Sequence, residues 1–429
     1  MNQLSLAGFL ALSFLRQRIR SAVLEITMLA LGVATIAVLM LVVSQLQSRG
    51  ERDAAGIDLV IGAKGSPLQL VLSSVYHADF PTGNIALAEA RMWAASPLVK
   101  LAVPIALGDS YRGKRMIGTD PSFDKLYGLD LATGQRARVP MHVTLGTNAA
   151  RETGLTLGSR FAGQHGLTES GAAHGEALFE VVGVFAPTNT VVDHMIVTPL
   201  ESVWAVHGQD HTEGHHHDDN EPGAEHGPHQ RRVHASKVPL NPPKDSSAPT
   251  DPREVTAVLI QFATPLAAAR LPRQINSQSA LQAASPAQEL ARLFGFLGVG
   301  VTTLKAFAAA LVLLSALGVF VSLGASFASR TTDLGLLRVM GATRGVVGLA
   351  VLLQGAMIGV AGVILGLAIG HMAVAVMGAE FAGPRGLALS GATWVHEEGW
   401  LALSAMATTL AAALTPAWRA YRKAVPWVA

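Results

Sequence analysis

The chain has 429 residues, half of them hydrophobic and only 14% charged, with a mean hydropathy of +0.37, which is too apolar for an ordinary soluble protein. Its formal charge of +2 is near balance and argues against nucleic acid as a partner. Cysteine is absent, so an exported domain of this size is held by its own core and not by disulfides.

Residues 1–21, with "LALSFLRQRIR", read as a cytoplasmic amphipathic lead-in. A hydrocarbon core of about 30 Å takes about 20 apolar residues in a helix, and Ala22–Val43 is the first such run. A cleaved signal peptide is the competing reading of "LAGFLALSFL". It is disfavoured because a basic stretch and a full-length span follow, with no small-residue cleavage site.

Residues 44–300 form a large outer segment of mixed α/β character. "HVTL", "ALFEVVGVF", "HMIVTPL" and "EVTAVLIQF" read as strands, being rich in β-branched residues and bounded by Gly, Pro or polar clusters. "NAARETGLTLGSRF" reads as helix, Gly-punctuated turn and strand, and "TPLAAARLPRQIN" as a helix interrupted at Pro272. Residues 207–252 have almost no large apolar side chains, so they cannot offset the entropy of ordering. They are expected as a mobile insertion between two strands.

That insertion holds His207, His211, His215, His216, His217, His226, His229 and His234. Imidazoles beside carboxylates suit zinc or another divalent ion, but a fixed site needs ligands held at defined spacing. Weak metal capture and a solvated linker therefore both remain as readings.

"SPAQELARLFGF" opens a helix, with Ser285 as cap, Pro286 in the first turn and Gln288 completing a capping box. No further Pro occurs before Arg330, so the helix is expected to run from Pro286 to about Ser329, about 65 Å. It includes the second span, 303–326, and an outer stalk whose weakest points are Gly295, Gly298 and Gly300. "SQLQSRGERDAAG" after the first span is expected as the stalk's shorter partner.

A charged segment, 328–345, separates the second span from the third, 346–376. In the third span Gly355 and Gly359, then Gly362, Gly366 and Gly370, stand four apart, a spacing that lets helices approach closely in lipid. A short outer loop, 377–399, leads to the fourth span, 400–418, and a tail, 419–429. Arg16, Arg18 and Arg20, then Arg330, Arg338 and Arg344, then Arg419, Arg422 and Lys423 all flank one side. Basic flanks are retained in the cytoplasm, so both termini are expected there, with 44–300 outside. Glu25, Lys305 and His371 are ionisable residues that could mark a path through the membrane, but all three lie near span ends, where snorkelling suffices and is the favoured reading.

The segment "RTTDLGLLRVMGATRG" has a helix signature, with Leu334, Leu337 and Met340 on one face, Thr332 or Asp333 as cap and Gly341 as stop. By its residues alone it reads equally as a basic helix lying on the inner leaflet. It resembles the segment after the second span in permeases of the FtsX-like superfamily of ABC transporters, which includes macrolide-exporter (MacB-like) and lipoprotein-releasing permeases. Arg330, Asp333, Leu334, Gly335, Leu337, Arg338, Gly341 and Ala342 occupy the motif positions, with Asp where Glu is common and Leu334 where Ile is common. "GIDLVIGAKGSPLQLVLSSVYHADFPTGNI", "FEVVGVFAPT" and "TPAWRAYRKAVP" resemble further parts of such permeases, in the same order.

The resemblance implies a four-span permease of the bacterial inner membrane working as a homodimer or pseudo-symmetric heterodimer on cytoplasmic ABC ATPases. Asp333, Leu334, Gly335, Leu337, Arg338, Met340, Gly341 and Arg344 would form the ATPase-coupling element. ATP would bind the partner, and this chain would bind no cofactor of its own beyond any zinc at the His-rich insertion. A periplasmic adaptor or substrate carrier, and membrane lipid, would be further partners. "GAKGSP" lacks both the spacing and the Ser or Thr after Lys of a phosphate-binding loop, and a close-approach turn is expected there. Two other functions fit the same sequence: a non-transporting signalling subunit that regulates an envelope enzyme or receptor, and a membrane-anchored metal-binding protein.

Overall fold

The computed structural model describes residues 3–165, 173–210, 253–328, 343–380 and 389–422. The chain divides into a helical unit, Met1–Asp53 with Ala287–Ala429, and a second unit, Ala54–Pro286.

The helical unit begins with α1 (Gln3–Gln17) and α2 (Ile19–Asp53). Among the described residues four helices, α2 among them, are long and apolar enough to cross a membrane.

The second unit is a ten-stranded mixed sheet with a separate two-stranded ribbon. Its elements are β1 (Leu59–Ala63), α3 (Pro67–Ser74), β2 (Ile85–Ala86), α4 (Leu87–Ala94), β3 (Val99–Tyr111), β4 (Lys114–Thr119), α5 (Ser122–Tyr127), β5 (Leu131–Gly134), β6 (His142–Leu145) and α6 (Thr147–Thr153). Then come β7 (Arg160–His165), β8 (Ala173–Phe185), a 3-10 turn (Val191–His194), β9 (Ile196–Pro199), α7 (Leu200–Asp210), β10 (Glu254–Val255), β11 (Ala257–Phe262), α8 (Pro265–Gln278) and β12 (Leu281–Ala284). Spatial order is β12-β1-β11-β3-β4-β9-β6-β8-β5, with β7 against β3 and β8, and β10 pairs with β2. Most neighbours are antiparallel, but β4–β9 and β6–β8 are parallel.

Both sheet faces are covered, which explains why β1 and β11 read as continuous apolar runs instead of alternating ones. Val60, Ile105, Ala257 and Leu259 pack on one face with Val71 of α3 and Phe123 of α5. Leu59, Ile61, Val258 and Ile260 pack on the other with Leu87 of α4 and Leu271 and Ile275 of α8. The quoted strand runs fall on β6, β8, β9 and β10–β11. Between α6 and β7, Gly154 ends the helix in the left-handed region (φ 73), its N–H donating to the Ala150 carbonyl.

Two expectations change. Pro272 lies inside a continuous α8, because Ala267, Leu271 and Ile275, four apart and buried, hold the helix on the sheet despite the lost backbone bond. The polar insertion does not start at residue 207 between two strands. α7 runs to Asp210 first, and Trp204 Nε1 donates to the Glu254 carbonyl at 2.7 Å, pinning the far side of the insertion to the same helix.

β1 and β12, the first and last strands of the ten-stranded sheet, pair antiparallel with Val60 opposite Ala284. The chain therefore enters and leaves this unit at adjacent strand ends. β12 is an edge strand, and the Asn276 side chain closes it: Nδ2 donates to the Ala283 carbonyl at 3.1 Å and Oδ1 accepts from the Ala283 N–H at 2.7 Å. An amide thus takes the place of a further strand. Asn276→Ala should cost about 1–3 kcal/mol by stranding two backbone groups, read as faster amide exchange across Leu281–Ala284 in the full chain. Unchanged exchange there would show that Asn276 does not close the edge.

Candidate functional site

The features with functional bearing lie where the helices of the first unit meet. α9 (Pro286–Ala328) follows β12 after a single residue, begins at the expected Pro286 and is helical throughout its described length. Gly295, Gly298 and Gly300 sit within it in open space without breaking it. α2 and α9 pack through small residues. A Cβ at Gly32 would lie 2.9 Å from Val312 Cγ2 and 3.1 Å from the Ala308 carbonyl, and one at Gly50 would lie 2.7 Å from Leu290. Polar bonds reinforce this seam: Ser315 Oγ donates to the Glu25 carbonyl at 3.1 Å, and the Ser21 and Ser322 hydroxyls lie 2.9 Å apart.

α10 (Arg344–Glu380) carries the glycine stripe. Its start is capped by Thr343, whose Oγ1 accepts from the Val346 N–H at 3.4 Å. Val346 and Ala350 of its first turns pack on Ala7 and Leu10 of α1. Gly355 and Gly359 face α11 (Glu397–Arg422), where added Cβ atoms would lie 2.6 Å from Ala413 Cβ and 2.5 Å from Thr409 Oγ1. Gly362, Gly366 and Gly370 face α2 instead, against Leu29, Val33 and Ala37. At Gly366 an added Cβ would come within 2.7 Å of Val33 Cβ and 2.8 Å of the Ala30 carbonyl. In lipid such backbone proximity is what drives helix association.

At the far end of α10 a side-chain clasp gathers three helices. Gln45 of α2 exchanges two bonds with Ser390, Nε2 to its carbonyl at 3.0 Å and Oε1 from its N–H at 2.7 Å. His371 of α10 donates from Nδ1 to the Gly391 carbonyl at 2.7 Å, and its Nε2 lies 3.0 Å from Glu398 Oε2 on α11. Trp394 packs on the imidazole with ring centroids 4.6 Å apart. Snorkelling therefore does not describe His371, nor Glu25, which is 5% exposed and accepts from Ser21 Oγ at 3.0 Å. Lys305 alone of the three is exposed.

Of the coupling residues, Arg344 opens α10, whereas Asp333, Leu334, Gly335, Leu337, Arg338, Met340 and Gly341 lie outside the described residues. His207 falls on α7, and His211, His215, His216, His217, His226, His229 and His234 lie outside the described residues. Among the described residues no three His, Asp or Glu side chains gather as a metal site.

Sequence reading missed the serines of the α2–α9 seam and the Gln45 clasp. Ser315 and Ser322, seven apart in an apolar helix, are the one available signal. It also missed a brace in the second unit: buried Lys114 pairs with Glu152, whose Oε1 is 3.7 Å from His194 Nδ1, and Asn148 Nδ2 lies 3.1 Å from His194 Nε2. The turn at "GAKGSP" is a close-approach turn, with Thr82 Oγ1 donating to the Ala63 carbonyl at 3.1 Å.

Gly366→Leu should separate α10 from α2 and destabilise the protein by about 1–3 kcal/mol, the usual cost of overpacking, seen as a lower melting temperature in detergent. Gly324→Leu, where nothing lies within 4 Å, is the matched control. Equal effects at the two positions would remove the seam as the cause.

Two family descriptions match the chain: "MacB-like periplasmic core domain" over residues 23–223 and "FtsX-like permease C-terminal" over residues 305–425. No curated protein matches it. Among solved structures it is similar to the periplasmic region of MacB from Actinobacillus actinomycetemcomitans, at 10% identity over 56% of this chain and 95% of that one, with a TM-score of 0.33. It is also similar to the extracellular domain of the noncanonical ABC-type transporter YknZ from Gram-positive bacteria, at 13% identity over 53% of this chain and 99% of that one, with a TM-score of 0.29. The assignment rests on the two family matches, which follow one another along the chain in the order the helices and sheet require: this membrane protein belongs to the FtsX-like permeases with a MacB-like periplasmic core domain.

Proposed function

We propose that the chain is the permease subunit of an ABC transporter of the bacterial inner membrane, with its termini cytoplasmic. It couples ATP hydrolysis by a separate cytoplasmic ATPase to movement of its outer domain, and so exports or extracts a substrate at the outer face. The observation that carries this reading is mechanical. α2 ends five residues before β1 and α9 begins one residue after β12, and those strands pair side by side. A displacement of the helix pair at its cytoplasmic end is thereby delivered to adjacent strands of one sheet.

A second permease copy is the partner proposed for α9. Phe296, Val299, Phe307, Leu314, Leu317 and Val321 are exposed by half or more and recur at coiled-coil-like spacing. From Phe296 to Val321 the helix rises about 38 Å, more than the hydrocarbon thickness of about 30 Å. Lipid alone therefore cannot cover the whole stripe.

The ATPase contact is assigned to the segment before Thr343, with Leu334, Leu337 and Met340 as its apolar face. Leu337→Asp places a charge in that contact, at more than about tenfold in affinity. The variant should reach the membrane at normal levels yet fail to co-purify with, or stimulate, its ATPase. Unchanged ATPase binding and stimulation would instead make the segment a helix lying on the membrane surface.

A further inference from the structure

Glu25 of α2 is an acidic side chain buried in the α2–α9 seam. Glu25 is 5% exposed, and among the described residues it makes no ion pair. A two-hydroxyl chain reaches only one of its oxygens: Ser322 Oγ lies 2.9 Å from Ser21 Oγ, which donates to Glu25 Oε1 at 3.0 Å. Oε2 is buried and has no hydrogen-bond partner. Opposite stands Gly318, where an added Cβ would lie 3.7 Å from Glu25 Cγ. That is ordinary van der Waals contact, so the surface of α9 packs against the Glu25 side chain.

A carboxylate taken out of water costs far more than one hydroxyl returns, and it persists in such a place only when neutralised. Ionisable side chains inside a span are functional candidates for that reason. The groups of α9 nearest Glu25 are Ser315, Gly318 and Ser322, none of them charged. α9 carries its charges at Glu289, Arg292 and Lys305, α10 at Arg344, His371 and Glu380, and α11 at Glu397, Glu398, Arg419 and Arg422. On the cytoplasmic flank of α2 and α1 stand Arg16, Arg18 and Arg20. None of these is ion-paired with Glu25.

We propose that Glu25 is a proton-binding site whose occupancy controls the seam between the two helices that carry the outer domain. The proton sits on Oε2, the oxygen without a partner. On release it passes to water at the cytoplasmic side, leaving a carboxylate with Ser21 as its hydroxyl donor. The new charge draws water into the seam and loosens the Ser21–Ser322 contact. Uptake of a proton from the same side restores it. This inference does not rest on the ATPase reading.

Infrared difference spectra of the full chain in lipid nanodiscs, wild type minus E25Q, test it directly. The expected result is a carboxylic-acid band at neutral pH that is absent from E25Q, disappears reversibly as pH rises and does not respond to sodium. A carboxylate band across the whole pH range would overturn the proposal. A band that responds to sodium at fixed pH would also overturn it, in favour of a metal-ion site. S322A keeps the carboxyl and shortens the hydroxyl chain, so it should shift the same band, and an unmoved band would place the acid elsewhere. The chain has no cysteine, so a G32C/V312C pair reports seam closure by disulfide formation. Its rate relative to the same pair in E25Q should fall at least about threefold as pH rises, with thiol ionisation common to both. A constant ratio would contradict control of the seam.

Discussion

Backbone-to-backbone approach around α2 is the constraint on which the helical unit depends. In water, apolar side chains would drive these helices together, but in lipid the tails are as apolar as leucine and that drive is lost. What remains is close packing, and the chain secures it with glycine where two backbones meet: Gly32 against α9, and Gly362, Gly366 and Gly370 of α10 against α2. α2 is thereby gripped from two directions. The serines and the Gln45 clasp add directional bonds to what packing alone would leave free to slide.

This arrangement gives α2 and α9 a different character from α10. The α2–α9 seam combines small-residue contact with hydrogen bonds along the helix pair. The α10 seams are contacts of glycine with alkyl side chains on one flank and with Ala413 and Thr409 on the other.

Much of this was legible in the residues. The spans, the long α9 and the strand runs follow from apolar run length, the absence of Pro and β-branched content, all of which act within a local window. The glycine spacing was legible too, but not the partners. The three-residue step between Gly359 and Gly362 takes back the advance of the four-residue steps, so the stripe stays on one narrow face while the neighbour lying against that face changes along α10. One stripe therefore serves α11 first and α2 afterwards. Gln45–Ser390, His371–Glu398 and the Ser21–Ser322 contact join residues far apart in the chain, and no local pattern encodes such pairs. Pro272 misled because the local rule weighs one lost hydrogen bond, whereas the fold weighs it against a whole buried face of α8.

The proposed coupling is that ATP binding by a partner ATPase moves the sheet-bearing unit through α2 and α9, the helices that flank β1 and β12 in the chain. Spin labels at Arg151 in the sheet-bearing unit and Ala392 in the helical unit report the distance between the two units, with and without ATP bound to the partner ATPase. The control and test proteins differ by flexible glycine insertions after Gly50 and after Gly298, which break both helices outside the Gly32, Ser21 and Ser315 contacts. The account predicts that ATP shifts the distance in the intact chain and not in the interrupted one, although ATP hydrolysis continues in both. The same ATP-dependent shift in the interrupted chain would contradict it.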